Sequence, residues 1–474
     1  MDLVAWARRH RSREDSGNVL SELRERPAES VARRTGFPLP FVEGVQSFYD
    51  DLHSDPRKPH LCTGTACTFA PAHILPAGTS EVHCMGQCYA PPAGRHRTPP
   101  PIPWRTIVTP PIVLRGLLAV GGPSARAEYD LPSGEEILDA VIASGLCGRG
   151  GAAYPTGAKW KAARDTPAPE RYVVANGDEG DPGTYVDRLL LEECPHLVLA
   201  GMLACARAIG AGRGIIFIRG EYPDAPGKVR AAIAEARAAG LLGGFDITVL
   251  TGAGSYVAGE ETALLAAIEG RRAEPRPKPP YPAERGLEGL PTVVQNVETL
   301  AVVPWVVRHR RRAGTKVVCL SGAVAHPGAV EIALGTPLGE VVERGGGGAA
   351  PGRRIKMALV GGPMGRVLPL SAFDTPLAYE TLPGLGHGGV VLLDESVSAR
   401  RLFEHLASFA RSESCGSCTP CRAGTWQLDR MRDEASLLRL LRTIETGSLC
   451  GFGQGVPRPI RDLLTHYRRE MFAC

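Results

Sequence analysis

Ser144-Gly-Leu-Cys-Gly-Arg-Gly-Gly-Ala-Ala-Tyr-Pro-Thr-Gly-Ala-Lys-Trp160 is a glycine-rich loop that follows a helical pattern. Within it, Gly148-Arg-Gly-Gly-Ala-Ala153 satisfies a loose G-x-G-x-x-A fingerprint. A dinucleotide-binding turn needs a strand before that fingerprint, whereas Glu135-Glu-Ile-Leu-Asp-Ala-Val-Ile-Ala has helical periodicity, so an ordinary Rossmann turn is not expected. The glycines instead supply close backbone approach and free N–H groups for a phosphate or a ring, with Arg149 and Lys159 of matching sign. Lone glycine matches are common, and a bland surface loop is the competing reading.

Working outward, residues 130–310 alternate helical segments with the apolar runs Tyr172-Val-Val-Ala, Gly214-Ile-Ile-Phe-Ile and Asp246-Ile-Thr-Val-Leu, the signature of an α/β layer fold. Residues 315–395 are strand-rich: Lys316-Val-Val-Cys-Leu-Ser, Ala329-Val-Glu-Ile, Lys356-Met-Ala-Leu-Val and Gly389-Val-Val-Leu-Leu suit a small β-grasp-like module. Gly345-Gly-Gly-Gly reads as a flexible loop tip. Residues 2–55 read as helical, with Asn18-Val-Leu-Ser-Glu-Leu and Phe41-Val-Glu-Gly-Val-Gln-Ser-Phe-Tyr spacing apolar side chains three and four apart. Ala90-Pro-Pro-Ala and Thr98-Pro-Pro-Pro-Ile-Pro form an extended linker, which puts a boundary near residue 100. The tail from Arg400 has helical period around four cysteines. Four units follow: 1–100, 101–312, 313–397 and 398–474.

Of 13 cysteines, eight fall in two constellations, which in a reducing compartment points to metal rather than disulfides. Cys415, Cys418 and Cys421 form a C-x2-C-x2-C run that presents three sulfurs to one face of a [4Fe-4S] cubane, with Cys450 closing the fourth corner. Cys62-Thr-Gly-Thr-Ala-Cys67 and Cys84-Met-Gly-Gln-Cys88 form a second set able to hold a [2Fe-2S] rhomb. A zinc site is the rival for both, and a degenerate module without metal for the second. Cys147, Cys194, Cys205, Cys319 and Cys474 read as structural thiols. The net charge is 54 − 50 = +4, which does not argue for nucleic acid. Neither a secretory h-region nor an apolar membrane-spanning run is read, so the expected location is cytoplasmic.

The loop Gly148–Trp160, Asn176-Gly-Asp-Glu-Gly-Asp-Pro-Gly-Thr, Ile218-Arg-Gly-Glu-Tyr, Gly252-Ala-Gly-Ser-Tyr-Val-Ala-Gly-Glu-Glu-Thr-Ala-Leu-Leu, Lys278-Pro-Pro-Tyr-Pro and Glu413-Ser-Cys-Gly-Ser-Cys-Thr-Pro-Cys-Arg resemble the NADH-binding flavoprotein subunit of respiratory complex I, in order from about 130 to 470. Residues from Leu39 to Cys88 resemble the thioredoxin-like [2Fe-2S] subunit of the same complex, shortened and fused. The fusion is similar to the diaphorase (beta) subunit of NAD-dependent formate dehydrogenase or of NAD-reducing hydrogenase. The resemblance implies an α/β multidomain fold: a helical and truncated thioredoxin-like module, an α/β FMN- and NADH-binding domain, a β-grasp-like domain and a helical [4Fe-4S] bundle.

The resemblance further implies that Gly148, Arg149, Gly150, Gly151 and Lys159 cradle FMN, with Asn176, Asp178 and Glu179 on its polar edge. Gly259, Glu260 and Glu261 would line the other side, and Gln295 and Asn296 would lie near its phosphate. Tyr154 and Tyr256 match aromatic positions against which NADH stacks, while Asp181, Glu261, Lys278 and Tyr281 match positions around the dinucleotide. Four departures stand out: Asp181 and Gln295 occupy positions where the family has glutamate and asparagine, and both the Cys67–Cys88 and Cys421–Cys450 segments are short. The implied activity is hydride exchange between NAD(H) and FMN, with one-electron transfer to the clusters and no catalytic acid or base. Implied partners are further iron-sulfur and catalytic subunits, with formate dehydrogenase favoured over hydrogenase or complex I. The reading from another class is an iron-sulfur scaffold that has lost its flavin.

Overall fold

The computed structural model describes residues 19–53, 60–71, 79–94, 99–118, 126–431 and 433–472. The helical reading of 2–18 and the thiol at Cys474 lie outside these residues. Four parallel strands form the central sheet, in spatial order Asp246–Thr251, Arg213–Ile218, Tyr172–Gly177, Thr292–Asn296. Val173, Val174 and Ala175 are fully buried, as are Ile216 and Ile218, because helices cover both faces of a parallel sheet. Helix Pro195–Ile209 packs against helices Val297–His309 and Gly134–Ser144. The approach is so close that a Cβ on Gly201 would lie 2.0 Å from the Leu300 carbonyl oxygen.

Thr292–Asn296 is a strand that the apolar-run reading did not find; it pairs Ala175 with Gln295 and Asn176 with Asn296. All four strands therefore end on one side, where the loops Asn176–Thr184, Arg219–Tyr222, Gly252–Glu261 and residue Asn296 converge. Ligands of open parallel sheets bind at that edge.

The strand-rich region forms a six-stranded sheet in the order Arg366–Pro369, Ile355–Val360, Gly389–Asp394, Thr315–Gly322, Gly328–Ala333, Trp104–Thr106. Its separate core includes Leu320, Val330, Ile332, Leu338 and Leu392. Trp104–Thr106 corrects the boundary drawn at residue 101: this piece of the proline-rich segment pairs in parallel with Ala329–Glu331 as an edge strand, where proline is tolerated. Glu331 anchors the continuation by accepting the backbone N–H groups of Ile112, Val113 and Leu114 at 2.7–2.8 Å. The Gly345–Gly348 segment is likewise corrected from a flexible tip to a packed turn. Gly345 and Gly346 are buried, and Arg105 Nη1 donates to the Gly345 carbonyl at 2.6 Å.

Helices Val19–Leu23, Ala28–Thr35, Leu39–Gln46 and Asp50–His53 precede the truncated module. That module is a parallel ladder of His60–Cys62 with Ser80–Val82 plus the short helix Thr65–Thr68. Its own buried cluster is Cys62, Cys67, Met85 and Ala93, too little apolar surface to hold a domain together alone. The chain closes with helices Ala399–Ser412, Thr419–Thr425, Glu434–Gly447, Gly451–Gly455 and Pro457–Met471. Asp462 of the last helix ties the bundle to the six-stranded sheet by accepting from Arg366 Nε and Nη2 at 2.8 and 2.9 Å. No single helix among the described residues is long and apolar enough to cross a membrane.

Candidate functional site

The glycine loop is closed at its base by Gly148 N–H donating to the Tyr154 carbonyl and Thr156 N–H to the Leu146 carbonyl, both at 2.8 Å. Its tip lies in a trough between the sheet edge and the Gly384–Gly388 loop. A Cβ on Gly150 would meet Asn296 Cβ at 3.0 Å, and one on Gly151, whose φ is 110°, would meet Gly386 at 3.6 Å. The loop therefore presents backbone rather than side chains. Arg149 departs from the expected role: its side chain is 3% exposed, its guanidinium turned into the core against Glu298 at 3.0 Å and donating to the Ala313 carbonyl. Lys316, fully buried, completes that ion triad at 2.8 Å from Glu298. What Arg149 leaves on the loop surface is its backbone.

Asn176 donates Nδ2–H to the Gly259 carbonyl at 2.8 Å, and its Oδ1 accepts from Asp178 N–H at 3.1 Å. This clasp holds two strand-end loops together. Glu179 is also corrected from the polar edge to a structural role: fully buried, it accepts the free N–H groups of Val186, Asp187 and Arg188 at the start of helix Val186–Glu193. Asn296 caps helix Val297–His309 through Oδ1 while its Nδ2–H donates to Asp187 at 2.7 Å. Asp178 and Gln295 behave differently. Asp178 Oδ2 and Gln295 Oε1 are buried polar atoms without a protein partner. Burial pushes the Asp178 carboxyl up to about 8, against the opposing pull of Arg219. Orphaned polar atoms beside a side-chain-free loop fit a polar ring ligand such as a flavin.

Lys159 Nζ donates to Glu261 at 3.1 Å and to the Val294 carbonyl at 3.1 Å, and Lys278 Nζ bridges Glu260 at 2.9 Å and Glu261 at 3.3 Å. Burial disfavours the Glu261 anion, but the two lysines outweigh it and hold its carboxyl below the usual value. Glu260 caps helix Glu261–Ile268 by accepting from Thr262 and Ala263 N–H, and a Cβ on Gly259 would lie 2.9 Å from the Asp178 carbonyl oxygen. Tyr154 and Tyr281 stand 53% and 52% exposed beside this acid–base row, rings free to meet a planar ligand. Tyr256 is different from expectation. Its ring sits edge-on to Phe409 and tilted against Phe452, and its hydroxyl donates to Asp181 at 2.5 Å, so it braces the site from beneath.

Three site groups were given no role from the sequence, although Arg219 and Glu413 lie in the motifs Ile218-Arg-Gly-Glu-Tyr and Glu413-Ser-Cys-Gly-Ser-Cys. His387 places Nδ1 3.3 Å from Asp181 Oδ2. Glu413 accepts the Tyr256 N–H at 2.9 Å, and burial pushes its carboxyl up to about 7. Arg219 pairs with Glu221 and donates to the Cys84 carbonyl at 3.0 Å. The signal for His387 was its place in Gly384-Leu-Gly-His-Gly-Gly, where flanking glycines let a histidine reach across to another unit.

Cys418 and Cys450 both act electrostatically on Cys415 and Cys421, so the four thiols lie in one neighbourhood. Cys418 and Cys450 each precede a short helix, and the Cys450 sulfur accepts from Phe452 and Gly453 N–H. Gly453 has to be small, since a Cβ there would lie 2.5 Å from Ser448 Cβ and 3.2 Å from Cys421 Cβ. Burial pushes the Cys415 and Cys421 thiols up to about 11 and 12. Cys62, Cys67, Cys84 and Cys88 are all buried, with backbone N–H donors from Gly64, Gly86 and Gly183 on three of the sulfurs at 3.2–3.4 Å. Among the described residues no three His, Cys, Asp or Glu side chains are disposed around one common ion position; a cluster is held differently, with one thiolate per iron corner in a cubane.

A backbone cradle with unsatisfied polar atoms, coupled through Tyr256 and Glu413 to a set of four thiols, defines a flavin- and iron-sulfur-binding electron-transfer protein. The family model described as the Nuo51 FMN-binding domain matches residues 141–305, the NADH-ubiquinone oxidoreductase-F iron-sulfur binding region matches 401–474, and the SLBB domain matches 317–368. An F subunit of NADH-quinone oxidoreductase from Rhizobium meliloti is 39% identical over 372 residues, covering 72% of this chain and 88% of that protein. The HndC subunit of the NADP-reducing hydrogenase of Solidesulfovibrio fructosivorans is 38% identical over 386 residues, covering 74% and 79%. A chain of the NAD+-reducing [NiFe]-hydrogenase crystal structure in the H2-reduced state superposes with a TM-score of 0.84 at 30% identity, covering 99% of this chain and 92% of that one. The protein belongs to the family of NADH-quinone oxidoreductase F subunits, with an FMN-binding domain and a [4Fe-4S] region.

Proposed function

We propose that this chain is the NADH dehydrogenase (diaphorase) flavoprotein subunit of a multi-subunit NAD-linked oxidoreductase. The observation that carries the reading is the contact of Tyr256 N–H with Glu413 Oε2, because it joins the sheet-edge site to the Cys415–Cys450 thiols within one polypeptide. FMN supplies hydride exchange with NAD(H) and one-electron exchange with iron-sulfur clusters when bound. Gly148, Gly150 and Gly151 would hold it by backbone, with Asn176, Asp178, Gln295 and Asn296 on its polar side. Tyr154, Tyr281, Lys278, Glu261 and Asp181 would hold the dinucleotide. Burial of the Tyr256–Phe409–Phe452 contact excludes water from the path between flavin and thiols. We also propose the four units 1–100, 101–312, 313–397 and 398–474, with Trp104–Thr106 lent to the third.

A [2Fe-2S] cluster on Cys62, Cys67, Cys84 and Cys88 is part of this reading. Metal–sulfur bonds of about 2.3 Å put two thiolates of one tetrahedral ion about 3.8 Å apart, and Cys84 Sγ lies 3.7 Å from Cys88 Sγ. The fused architecture supports a diaphorase of NAD-reducing hydrogenase or NAD-dependent formate dehydrogenase more than a component of complex I. Coverage of 99% of this chain by the hydrogenase structure favours the first of these.

The test is purification of the chain under anaerobic conditions, followed by assay of NADH oxidation with ferricyanide. A yellow protein that turns over without partners is the expected result; full FMN occupancy without activity on NADH or NADPH would overturn it, and a colourless protein would favour an iron-sulfur scaffold. Co-purification of a large nickel-iron protein would select hydrogenase, and of a molybdenum or tungsten protein, formate dehydrogenase.

A further inference from the structure

His387 comes from the loop before strand Gly389–Asp394 of the six-stranded sheet, yet its ring lies in the parallel-sheet site. Nδ1 faces Asp181 Oδ2 at 3.3 Å, and Nε2 lies 4.0 Å from Asp187 Oδ2. Nε2 is also 3.5 Å from the position a Cβ on Gly150 would take, so the ring borders the glycine loop directly.

The surroundings are acidic. Asp178, Glu179, Asp181 and Asp187 are each at most 7% exposed. Four carboxyl groups that all interact with His387 oppose an anionic ligand beside it. Two of the four are accounted for: burial keeps Asp178 protonated at neutral pH, and Glu179 is held by three backbone N–H groups. Cations of the neighbouring elements are committed to glutamates, Arg149 and Lys316 to Glu298, Lys159 to Glu261 and Arg219 to Glu221. Asp181 also accepts from the Tyr256 hydroxyl, and Asp187 from Asn296 Nδ2–H and the Glu298 N–H, but the cation that faces both is His387. Burial disfavours the charged imidazolium, but these two aspartates outweigh it and push its pKa up to about 9, so the ring is a cation at neutral pH.

We propose that His387 is a charge-setting and positioning residue of the flavin site: it holds the Asp181 carboxylate against the Tyr256 hydroxyl and gives the Gly148–Gly151 loop a positive neighbour that favours the reduced form of bound flavin. The inference rests on the FMN site proposed above. Reduced flavin carries more negative charge than oxidised flavin, and a fixed cation beside the cradle stabilises it selectively.

The test compares the full-length, FMN-loaded protein with His387→Gln and His387→Lys by spectroelectrochemical titration at neutral pH. Removing the charge should cut the preference for reduced over oxidised flavin about tenfold, a fall of about 30 mV in the two-electron midpoint potential. Lys should restore most of it. A second measurement does not depend on the neutral variant: in flavin-free wild-type protein labelled at histidine, the resonance absent from His387→Lys should titrate near about 9. A His387→Gln protein that holds FMN at the wild-type potential overturns this inference and leaves the FMN site standing, as does an NMR titration at the ordinary histidine value of about 6.5. Wild-type protein that takes up no FMN overturns both.

Discussion

Gly183 donates its backbone N–H to Cys88 Sγ at 3.2 Å. The same loop, Asn176–Thr184, carries Asp178 and Asp181, so the amino-terminal thiol set is hydrogen-bonded to the segment that shapes the flavin site. Arg219 adds a second stitch by donating to the Cys84 carbonyl. A module with almost no apolar core is thus held in register with the redox site by two contacts on its Cys84–Cys88 loop.

This arrangement predicts an iron count. A chain with both clusters should hold close to six irons per FMN, from about four plus about two in the two cluster types. Cys62→Ser/Cys84→Ser should lose about two. About four irons in the unmodified anaerobic protein, without a rhombic [2Fe-2S] signal, would make the module a docking element only.

Cys418→Ser should remove a ligand of the [4Fe-4S] cluster and stop electron export to a partner, while NADH reduction of the flavin continues. The sites are separate and are joined by the Tyr256–Glu413 contact. Low-temperature EPR of the reduced variant checks the ligand set, and an unchanged spectrum would count against it.

Gly150→Ala places a methyl 3.0 Å from Asn296 Cβ, inside the cradle. Overpacking of this kind costs about 1–3 kcal/mol, which corresponds to a roughly tenfold or larger loss of FMN affinity. Fluorescence titration of the flavin-free protein measures it. Unaltered affinity would remove Gly150 from the binding surface.

Glu261→Gln should raise the KM for NADH and leave FMN bound. A charged acceptor contributes about 1.5–3 kcal/mol, or roughly ten- to hundredfold in KM. Loss of the carboxylate also frees Lys159 and Lys278, whose shared partner it is. Steady-state kinetics and the flavin spectrum together decide; loss of FMN with KM unchanged would reassign the residue.

Asp178 makes stability depend on pH. Its folded value, about 8, lies above the unfolded value, so the folded chain binds that proton more tightly. The folded state therefore loses stability as pH rises from about 4 to about 8. Asp178→Asn should raise the melting temperature of flavin-free protein more at pH 8 than at pH 5. An equal shift at both would show that the carboxyl ionises normally.

Much of the site was legible because its chemistry depends on local spacing. The C-x2-C-x2-C run, the glycine loop and the strands Tyr172–Gly177, Arg213–Ile218 and Asp246–Thr251 are each written in a short window, where period and thiol spacing carry the information. Thr292–Asn296 escaped notice because Gln295 and Asn296 interrupt its apolar run, and they do so because this strand end faces the site. Trp104–Thr106 escaped because proline-rich sequence reads as linker, and only pairing with Ala329–Glu331 makes it a strand.

By itself the sequence determined which residues could bind and which elements would carry them: glycines for backbone approach, thiols for iron, alternating helix and strand for the frame. Tertiary structure decided which way the side chains turn. Arg149 has the sign to meet a phosphate, yet it is drawn into the core to Glu298, which is 149 positions away and which it shares with the buried Lys316. His387 shows the converse. Nothing within its own loop asks for a charge, and only folding brings it between Asp181 and Asp187, whose carboxyl groups push its pKa up.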